Sequence, residues 1–286
     1  MSNPLLSIII PTRDRPHLLP RAVNSALVQT MDDFEVIVVD DASAEPVSLP
    51  PHSRLRVIRL SQSRGGAAAR NVGTEAALGR WIAYLDDDDR LLPHMATTSL
   101  EALEQAVLPS PVGVISGIET VNERGQVTET RLPPPARPRG AHFSLEELEP
   151  GHSYNTKQTL VVEREIIRQI GGWDETFRSR VHSELFLRLN PVCSLLGLPI
   201  VTYQLYSHEG DRVSRNPSLR QESFERLINK HRILFNAHPK MFANFVYEQA
   251  CMSYKIGQIN AAFSHLCWAM QLHPKHTFSR LLRSSI

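Results

Sequence analysis

Four short apolar runs, separated by helical segments, restrict the fold of this chain more than any other feature. The runs do not alternate between apolar and polar residues, so both faces of each strand should be buried, as in a parallel sheet covered by helices. Apolar spacing predicts helices over residues 18–29 and 67–78 between them. The pattern predicts an α/β fold with helices on both faces of a mostly parallel sheet. The runs cover residues 6–10, 34–39, 55–60 and 81–85.

The chain changes character after its first hundred residues. Strands are predicted over residues 112–121, 159–162 and 198–206, and a helix over 163–170 that a glycine pair ends. The proline-rich residues 131–140 should form a surface loop with neither helix nor sheet. Beyond Pro217 the pattern is entirely helical. Helices are predicted there over residues 224–235, 242–254 and 259–272.

The last two predicted helices resemble a single tetratricopeptide-type helix pair. One such unit is too few for a solenoid. A helical cap on the preceding domain is the simpler interpretation, and a partner-binding surface is the alternative.

Composition excludes several classes of protein. The 286 residues include 31 lysines and arginines against 30 aspartates and glutamates, so no nucleic-acid partner is expected. The 3 cysteines are far apart and odd in number, which favours a reducing compartment and argues against a disulfide scaffold. No apolar segment approaches the roughly 20 residues that cross a bilayer. We therefore expect a soluble cytoplasmic protein.

Acidic residues follow two of the predicted strands at the point where each strand ends. Asp40 and Asp41 end one strand, and residues 86–89 are four consecutive aspartates after another. Ligands of open parallel sheets bind outside the carboxyl ends of the strands. Asp86 and Asp88 could therefore hold a divalent cation, because Mg²⁺ and Mn²⁺ prefer oxygen ligands. The alternative is a solvated acidic loop that caps the helix predicted to begin near Pro93.

The order of the motifs resembles a known family. S-I-I-I-P-T-R-D-R-P, F-E-V-I-V-V-D-D-A-S, R-G-G-A-A-A-R-N-V-G and Y-L-D-D-D-D-R-L-L-P follow one another as in the family 2 glycosyltransferases of the GT-A fold, over about residues 5–208. The resemblance implies transfer of a sugar from a nucleotide-diphosphate donor to an acceptor hydroxyl, usually with inversion and with Mn²⁺ or Mg²⁺. It also implies a Rossmann-like catalytic domain.

The resemblance suggests a division of the chain into domains. We predict a GT-A catalytic domain over residues 1–215, with a nucleotide-binding half at about 1–125 and an acceptor-side half at about 126–215. A helical extension over residues 216–286 should follow, containing the tetratricopeptide-like pair.

The resemblance also assigns donor-binding residues by position. Pro11, Thr12, Arg13 and Asp41 lie where the family holds the base and ribose. Arg13 departs from the pattern, since an aromatic residue often stacks on the base there, although a guanidinium plane can also stack. Arg70 falls on a position that contacts the donor. Its alternative is an arginine on the surface of a helix.

The acidic run supplies the remaining donor and metal positions. Asp86 and Asp87 take positions that contact the nucleotide sugar, and Asp88 is the principal metal ligand, with Asp86 as a second. His208 resembles the histidine that many GT-A enzymes place after the last strand to help hold the metal or the diphosphate. A purely structural role is the alternative for His208.

The general base is the weakest part of the resemblance. The turn G-G-W-D-E at residues 171–175 is intact, but Val181 and His182 stand where the family has a Glu-Asp pair. Histidine can accept a proton at neutral pH. Glu184 competes for the role, although it could instead pair with Arg188 four residues later. We favour His182 as the base.

The resemblance names partners only by class. We expect a UDP-type sugar donor and a saccharide or lipid-linked saccharide acceptor, in polysaccharide or glycoconjugate synthesis. The basic C-terminal segment leaves open a peripheral contact at the inner face of the membrane, and homo-oligomerisation is also open. A sugar-phosphate nucleotidyltransferase is disfavoured because the first strand lacks a following glycine-rich loop. The principal alternative is a catalytically impaired scaffold that binds a nucleotide sugar.

Overall fold

A computed structural model describes residues 3–206 and 216–284 of the chain. The chain divides into two compact units. The first comprises Met1–Ser144 and Leu148–Ser223, and the second comprises Leu145–Glu147 and Phe224–Ile286. His208 lies outside the described residues, so its predicted role stays a prediction. The predicted division into residues 1–215 and 216–286 also stays a prediction.

The first unit contains a mixed sheet with helices on both faces. Its strands are β1 (Leu6–Thr12), β2 (Phe34–Asp40), β3 (Leu55–Arg59), β4 (Trp81–Tyr84), β5 (Arg90–Leu91), β6 (Val112–Val121), β7 (Val127–Arg131), β8 (Ala136–Arg137), β9 (Val161–Glu163) and β10 (Ser194–Tyr206). Its helices include α1 (Leu19–Leu27), α2 (Gly66–Ala76), α3 (Met95–Glu104), the 3₁₀ helix Lys157–Thr159, α4 (Arg164–Gln169) and α5 (Val181–Leu189).

The strand order places β1 at the centre of the amino-terminal half. The order is β3-β2-β1-β4-β9-β6-β10-β5, with β7 added to β6 and β8 to β10. β1 pairs in parallel with both β2 and β4, and β6 pairs in parallel with β10. β9 is antiparallel to both of its neighbours. The longest ladders are parallel, so the predicted mixed, mostly parallel sheet is confirmed.

Two hydrophobic cores, one on each face, account for the unbroken apolar runs. Ile9 points into the core that contains α2, α4 and α5, whereas Ile8 and Ile10 point into the core that contains α1 and α3. Because alternate residues enter different cores, most positions of β1 and β2 need an apolar residue; the buried Ser7 and Glu35 are exceptions that bond to each other. The prediction is wrong for β3, where Val57 is exposed, because β3 is an edge strand.

The proline-rich segment is not wholly irregular. Arg131 ends β7, and Ala136 and Arg137 form β8 and pair with β10, so the prediction that residues 131–140 avoid the sheet is wrong at these three positions. Pro135 and Pro138 flank the two residues of β8, but neither Ala136 nor Arg137 is a proline, so both have a backbone N–H group that can pair with a neighbouring strand. Gly197 allows the close approach, because a Cβ atom there would lie 2.0 Å from the Pro134 carbonyl oxygen. Residues 127–131, for which no strand was predicted, form β7 on β6.

The carboxyl-terminal part of the chain is helical, as predicted. The predicted helix 224–235 starts earlier and is interrupted at His231, and the tetratricopeptide-like pair corresponds to two helices joined by a turn at Gly257, where φ is +77°. In the described part of the chain, no helix has both the length and the apolar character to cross a membrane. The helices are α6 (Pro217–Lys230), α7 (Arg232–Ala237), α8 (Pro239–Lys255), α9 (Ile259–Leu272) and α10 (Pro274–Ser284).

The contact between α2 and the sheet generates a stability prediction. A Cβ atom at Gly73 would lie 2.4 Å from Ile9 Cγ2, inside the core. We expect Gly73→Val to lower the free energy of unfolding by about 1–3 kcal/mol, because α2 must move away from β1. Urea denaturation followed by circular dichroism measures the change. The control is Glu75→Val on the exposed face of the same helix, which should cost well under that amount. Equal losses in both variants would contradict the tight packing.

Candidate active site

The two predicted acidic strand ends lie at the same edge of the sheet, one on each side of β1. The Asp41 N–H donates to the Thr12 carbonyl at 2.9 Å, and the Leu85 N–H donates to the Ile9 carbonyl at 3.0 Å. The parallel ladders therefore continue just past the strand ends on both sides of β1. This backbone register brings Asp41 and the run 86–89 to one edge, as the sequence predicts.

Two aspartates of the run are tied to the loop after β1. The Thr12 hydroxyl donates to Asp87 at 2.7 Å. Arg15 donates to Asp87 at 2.9 Å and to Asp88 at 3.1 Å, so one guanidinium bridges two neighbouring carboxylates. Burial raises the pKa of Asp87 despite these bonds. The predicted nucleotide-sugar residues Thr12 and Asp87 therefore bond to each other, which fixes the β1–α1 loop against the acidic run.

The carboxyl group of Asp89 forms its hydrogen bonds with residues of β10. The Tyr203 hydroxyl donates to one of its oxygens at 2.8 Å, and the Tyr206 N–H donates to the other at 3.0 Å. Burial, together with the negative charges of Asp88 and Asp86, raises the pKa of Asp89 well above its usual range.

Asp86 pairs with the arginine that the family resemblance singled out. Arg70 donates to the Asp86 carboxylate and lies over the Trp173 ring, 5.0 Å from its centroid. Arg70 is 7% exposed, so the alternative of a surface arginine is wrong. Arg70 is buried because it lies on the face of α2 that packs against the sheet. Burial alone would raise the pKa of Asp86, but the charge of Arg70, with a smaller contribution from His182, lowers it overall.

The acidic run offers oxygen ligands in a compact group. One carboxylate oxygen from each of Asp86, Asp88 and Asp89 lies within 4.8 Å of the others. Hard oxygen donors at this spacing fit Mg²⁺ or Mn²⁺. All three carboxylates also accept hydrogen bonds within the protein: Asp86 from Arg70, Asp88 from Arg15, and Asp89 from Tyr203 and Tyr206.

Asp41 organises the segment that leads into α2. It accepts hydrogen bonds from the Ser63 hydroxyl and from the N–H groups of Arg64 and Gly65, all at 2.7–2.8 Å. Arg13 donates to Ser63 at 2.7 Å and keeps 55% of its side chain exposed. Arg13 is therefore accessible at the mouth of the site beside Asp41. Pro11 is buried within β1.

The two candidates for the general base occupy different environments on α5. The His182 ring packs edge-on against Trp173 with ring centroids 5.0 Å apart, and it is close enough to Asp86 for each to shift the pKa of the other. Burial, reinforced by Arg70, lowers the pKa of His182 to about 3. Glu184 is 1% exposed and accepts two hydrogen bonds from Arg188, at 2.7 and 2.5 Å. The pairing considered as an alternative for Glu184 is therefore present.

Lys157 is a site residue that the sequence did not indicate. It begins the 3₁₀ helix before β9 and is 7% exposed. Its ammonium group donates to the Tyr154 carbonyl at 2.6 Å. Burial, with a smaller contribution from Arg180, lowers the pKa of Lys157 to about 7. An isolated lysine in a polar loop gives no signal of this kind in the sequence.

Comparison with known proteins decides the family. Residues 7–159, just over half of the chain, match the family model described as Glycosyl transferase family 2. The chain belongs to glycosyl transferase family 2. An uncharacterised glycosyltransferase from Haemophilus influenzae is 28% identical over 232 residues, which span 79% of this chain and 76% of that protein. The chain is therefore a glycosyltransferase, as the motifs predicted.

Other relatives match shorter segments. The succinoglycan biosynthesis protein ExoO from Rhizobium meliloti is 38% identical over 36% of this chain and 31% of its own length. This family 2 chain is also similar to the crystal structure of S. aureus TarS in complex with UDP-GlcNAc. The TM-score is 0.66 at 17% identity, and the match covers 96% of this chain and 82% of that one. The likeness to TarS confirms the fold.

The buried ammonium of Lys157 generates a pH prediction. Its pKa is lowered from 10.5 to about 7 in the folded protein, so the unfolded chain binds more protons between these values. Stability should therefore rise with pH over that window, by about 1–2 kcal/mol between pH 7 and 8.5. Lys157→Met should remove this rise. Urea denaturation of both proteins across the range measures it, and a rise of the same size in Lys157→Met would contradict the assignment.

Proposed function

We propose that the chain transfers a hexose from a UDP-sugar to a hydroxyl group of a saccharide or lipid-linked saccharide, with inversion and with a divalent cation. One observation supports this most strongly: Asp41, the 86–89 run and His182 come together at the carboxyl edge of β1, β2 and β4. A donor held at that edge would lie between two acidic groups and a half-buried neutral imidazole.

On the donor side, the proposal assigns three roles. The exposed guanidinium of Arg13 stacks on the base or contacts the ribose beside Asp41. The carboxylate of Asp86, held by Arg70, contacts the donor ribose. Asp87 acts indirectly, because its bonds to Thr12 and Arg15 hold the β1–α1 loop in place.

Asp88 and Asp86 would hold the divalent cation, with His208 as a further candidate ligand. A bound cation would neutralise the negative charge that develops on the departing diphosphate. Arg15, which already bridges Asp87 and Asp88, would keep the Asp88 carboxylate oriented.

His182 would accept the proton of the attacking hydroxyl. Its pKa of about 3 means that the imidazole is neutral at every physiological pH. That value is close to the roughly 3.9 of an ordinary aspartate, the residue type that the family usually places here. Burial and Arg70 thus give this histidine about the proton affinity of a carboxylate. Glu184 would instead orient Arg188.

Relatives support the substrate class. An Escherichia coli relative, 34% identical over 93 residues, is named as a glucosyltransferase that uses UDP-Glc and an undecaprenol-linked acceptor. TarS is described in complexes with UDP-GlcNAc and with UDP. We therefore propose UDP as the carrier and polysaccharide or glycoconjugate synthesis as the context. Cytoplasmic location, a peripheral membrane contact and homo-oligomerisation stay predictions from the sequence.

The metal assignment predicts cation-dependent nucleotide binding. UDP should raise the melting temperature of the protein in the presence of Mn²⁺ and much less in EDTA. Asp88→Asn should weaken this Mn²⁺-dependent UDP binding at least tenfold, because the substitution keeps the shape but removes the charge. Asp33→Asn, an exposed residue at the opposite end of the strands, is the matched control. Unchanged binding in Asp88→Asn would remove Asp88 as the principal ligand.

The base assignment predicts a separation of binding from turnover. His182→Ala should lower the rate of UDP-sugar turnover by about 100-fold, the range expected for general base catalysis, with UDP affinity within about twofold of the wild type. Glu184→Gln should mainly lower the melting temperature, because it removes a buried charge from Arg188. Acceptor-independent hydrolysis of UDP-glucose and UDP-GlcNAc measures the rate. Near-normal turnover in His182→Ala, with loss in Glu184→Gln, would reverse the assignment.

The same assay addresses the scaffold alternative. A protein that has lost its base would bind UDP with Mn²⁺ but would neither hydrolyse nor transfer any of a panel of UDP-sugars. The absence of the usual Glu-Asp pair is the observation that favours this reading.

A further inference from the structure

Lys157 carries a buried amino group for which the described residues provide no carboxylate partner, so only its protonated form would need an opposite charge. Its Nζ atom has one hydrogen-bond acceptor, the Tyr154 carbonyl, and lies 5.5 and 5.9 Å from the ring centroids of Phe143 and Tyr154. The charged neighbour that shifts its pKa is another cation, Arg180. Burying an ammonium group is costly unless an opposite charge compensates it.

The fold places this cation beside the proposed reaction centre. β9 runs antiparallel to β4, with Val161 opposite Ala83. The chain just before Val161 therefore extends past the carboxyl end of β4, where the acidic run begins. The 3₁₀ helix Lys157–Thr159 contacts both β4 and α5. The charge of Lys157 is close enough to contribute to the lowered pKa of His182.

We propose that Lys157 binds an oxyanion, of phosphate or carboxylate type, that belongs to the acceptor. The proposal rests on the proposed function, because it places the acceptor next to His182. An acceptor that brings a negative charge to this position supplies the missing partner of the ammonium group. A lysine is a compact point charge and does not select between phosphate and carboxylate. An uncharged acceptor would leave the ammonium group without an opposite charge or would require it to lose its proton, so the site should favour a charged acceptor.

The first experiment measures anion binding without any substrate. The melting temperature is followed while inorganic phosphate or acetate replaces chloride at constant ionic strength, with EDTA present. We expect stabilisation of the wild type by at least one of the two anions, which also shows the type of oxyanion preferred. Lys157→Met should weaken that binding at least fivefold, whereas Lys157→Arg should keep most of it. Lys255→Met, an exposed lysine on α8, is the matched control and should behave as the wild type.

A second titration distinguishes an oxyanion of the acceptor from the diphosphate of the donor. The titration is repeated with saturating UDP and Mg²⁺. If the oxyanion belongs to the acceptor, the Lys157-dependent stabilisation persists, and Lys157→Met binds UDP within about twofold of the wild type. If UDP abolishes that stabilisation, or if Lys157→Met weakens UDP binding more than fivefold, the cation serves the donor diphosphate and the proposal is wrong.

The two arms also distinguish this proposal from the proposed function. Stabilisation by UDP together with an identical anion response in wild type and Lys157→Met overturns only the Lys157 assignment. Absence of any UDP effect in the wild type overturns the proposed function itself. If Lys157→Met does not fold, Lys157→Gln replaces it in both arms, and an anion response equal to that of the wild type overturns the proposal.

Discussion

Four consecutive aspartates can lie at one strand end only if their charges are compensated. The structure treats each one differently. Asp86 meets a buried arginine, Asp87 and Asp88 share another, and Asp89 accepts hydrogen bonds from the Tyr203 hydroxyl and the Tyr206 N–H while burial and its acidic neighbours raise its pKa. At effective protein dielectric constants, unpaired charges at these separations would cost several kcal/mol. The arrangement of the surrounding loops follows from this requirement, since Arg15, Arg70 and Tyr203 come from three distant parts of the chain.

The proposed function places a histidine where the family usually has a carboxylate base, and this environment is physically consistent with that proposal. In water, imidazole is a far better proton acceptor than carboxylate, and it would be partly protonated near neutral pH. Burial against Trp173 and the charges of Arg70 and Lys157 lower its pKa to about 3. Arg70, which pairs with Asp86, thus also helps to keep the imidazole neutral, so the proposed donor binding and the proposed base function both depend on Arg70.

Much of the amino-terminal half followed from the sequence because its signals are local. Unbroken apolar runs located β1, β2 and β4, and the rule for parallel sheets brought Asp41 to the same edge as Asp86. The partners of the acidic residues did not follow, because Arg15 and Tyr203 reach the run through long-range contacts without a local pattern. The insertion of antiparallel β9 between β4 and β6 was also missed, and the 3₁₀ helix that begins at Lys157 leads directly into this strand. The prediction for Ala136 and Arg137 was wrong because it relied on the high proline content of the segment. Two consecutive residues that are not proline are enough to pair with a neighbouring strand.

The three residues Leu145–Glu147 have a consequence for how this chain can be divided. They belong to the compact unit formed by Phe224–Ile286, although more than seventy residues of the first unit follow them. Leu145 is 1% exposed, and Glu147 pairs with Lys240 of α8 at 2.9 Å. The carboxyl-terminal helices are therefore not a detachable appendage. A shortened protein that stopped before Phe224 would keep Leu145 but would lack the rest of the compact unit to which this leucine belongs. Any shortened or recombined variant should therefore keep or remove residues 145–147 together with the carboxyl-terminal helices.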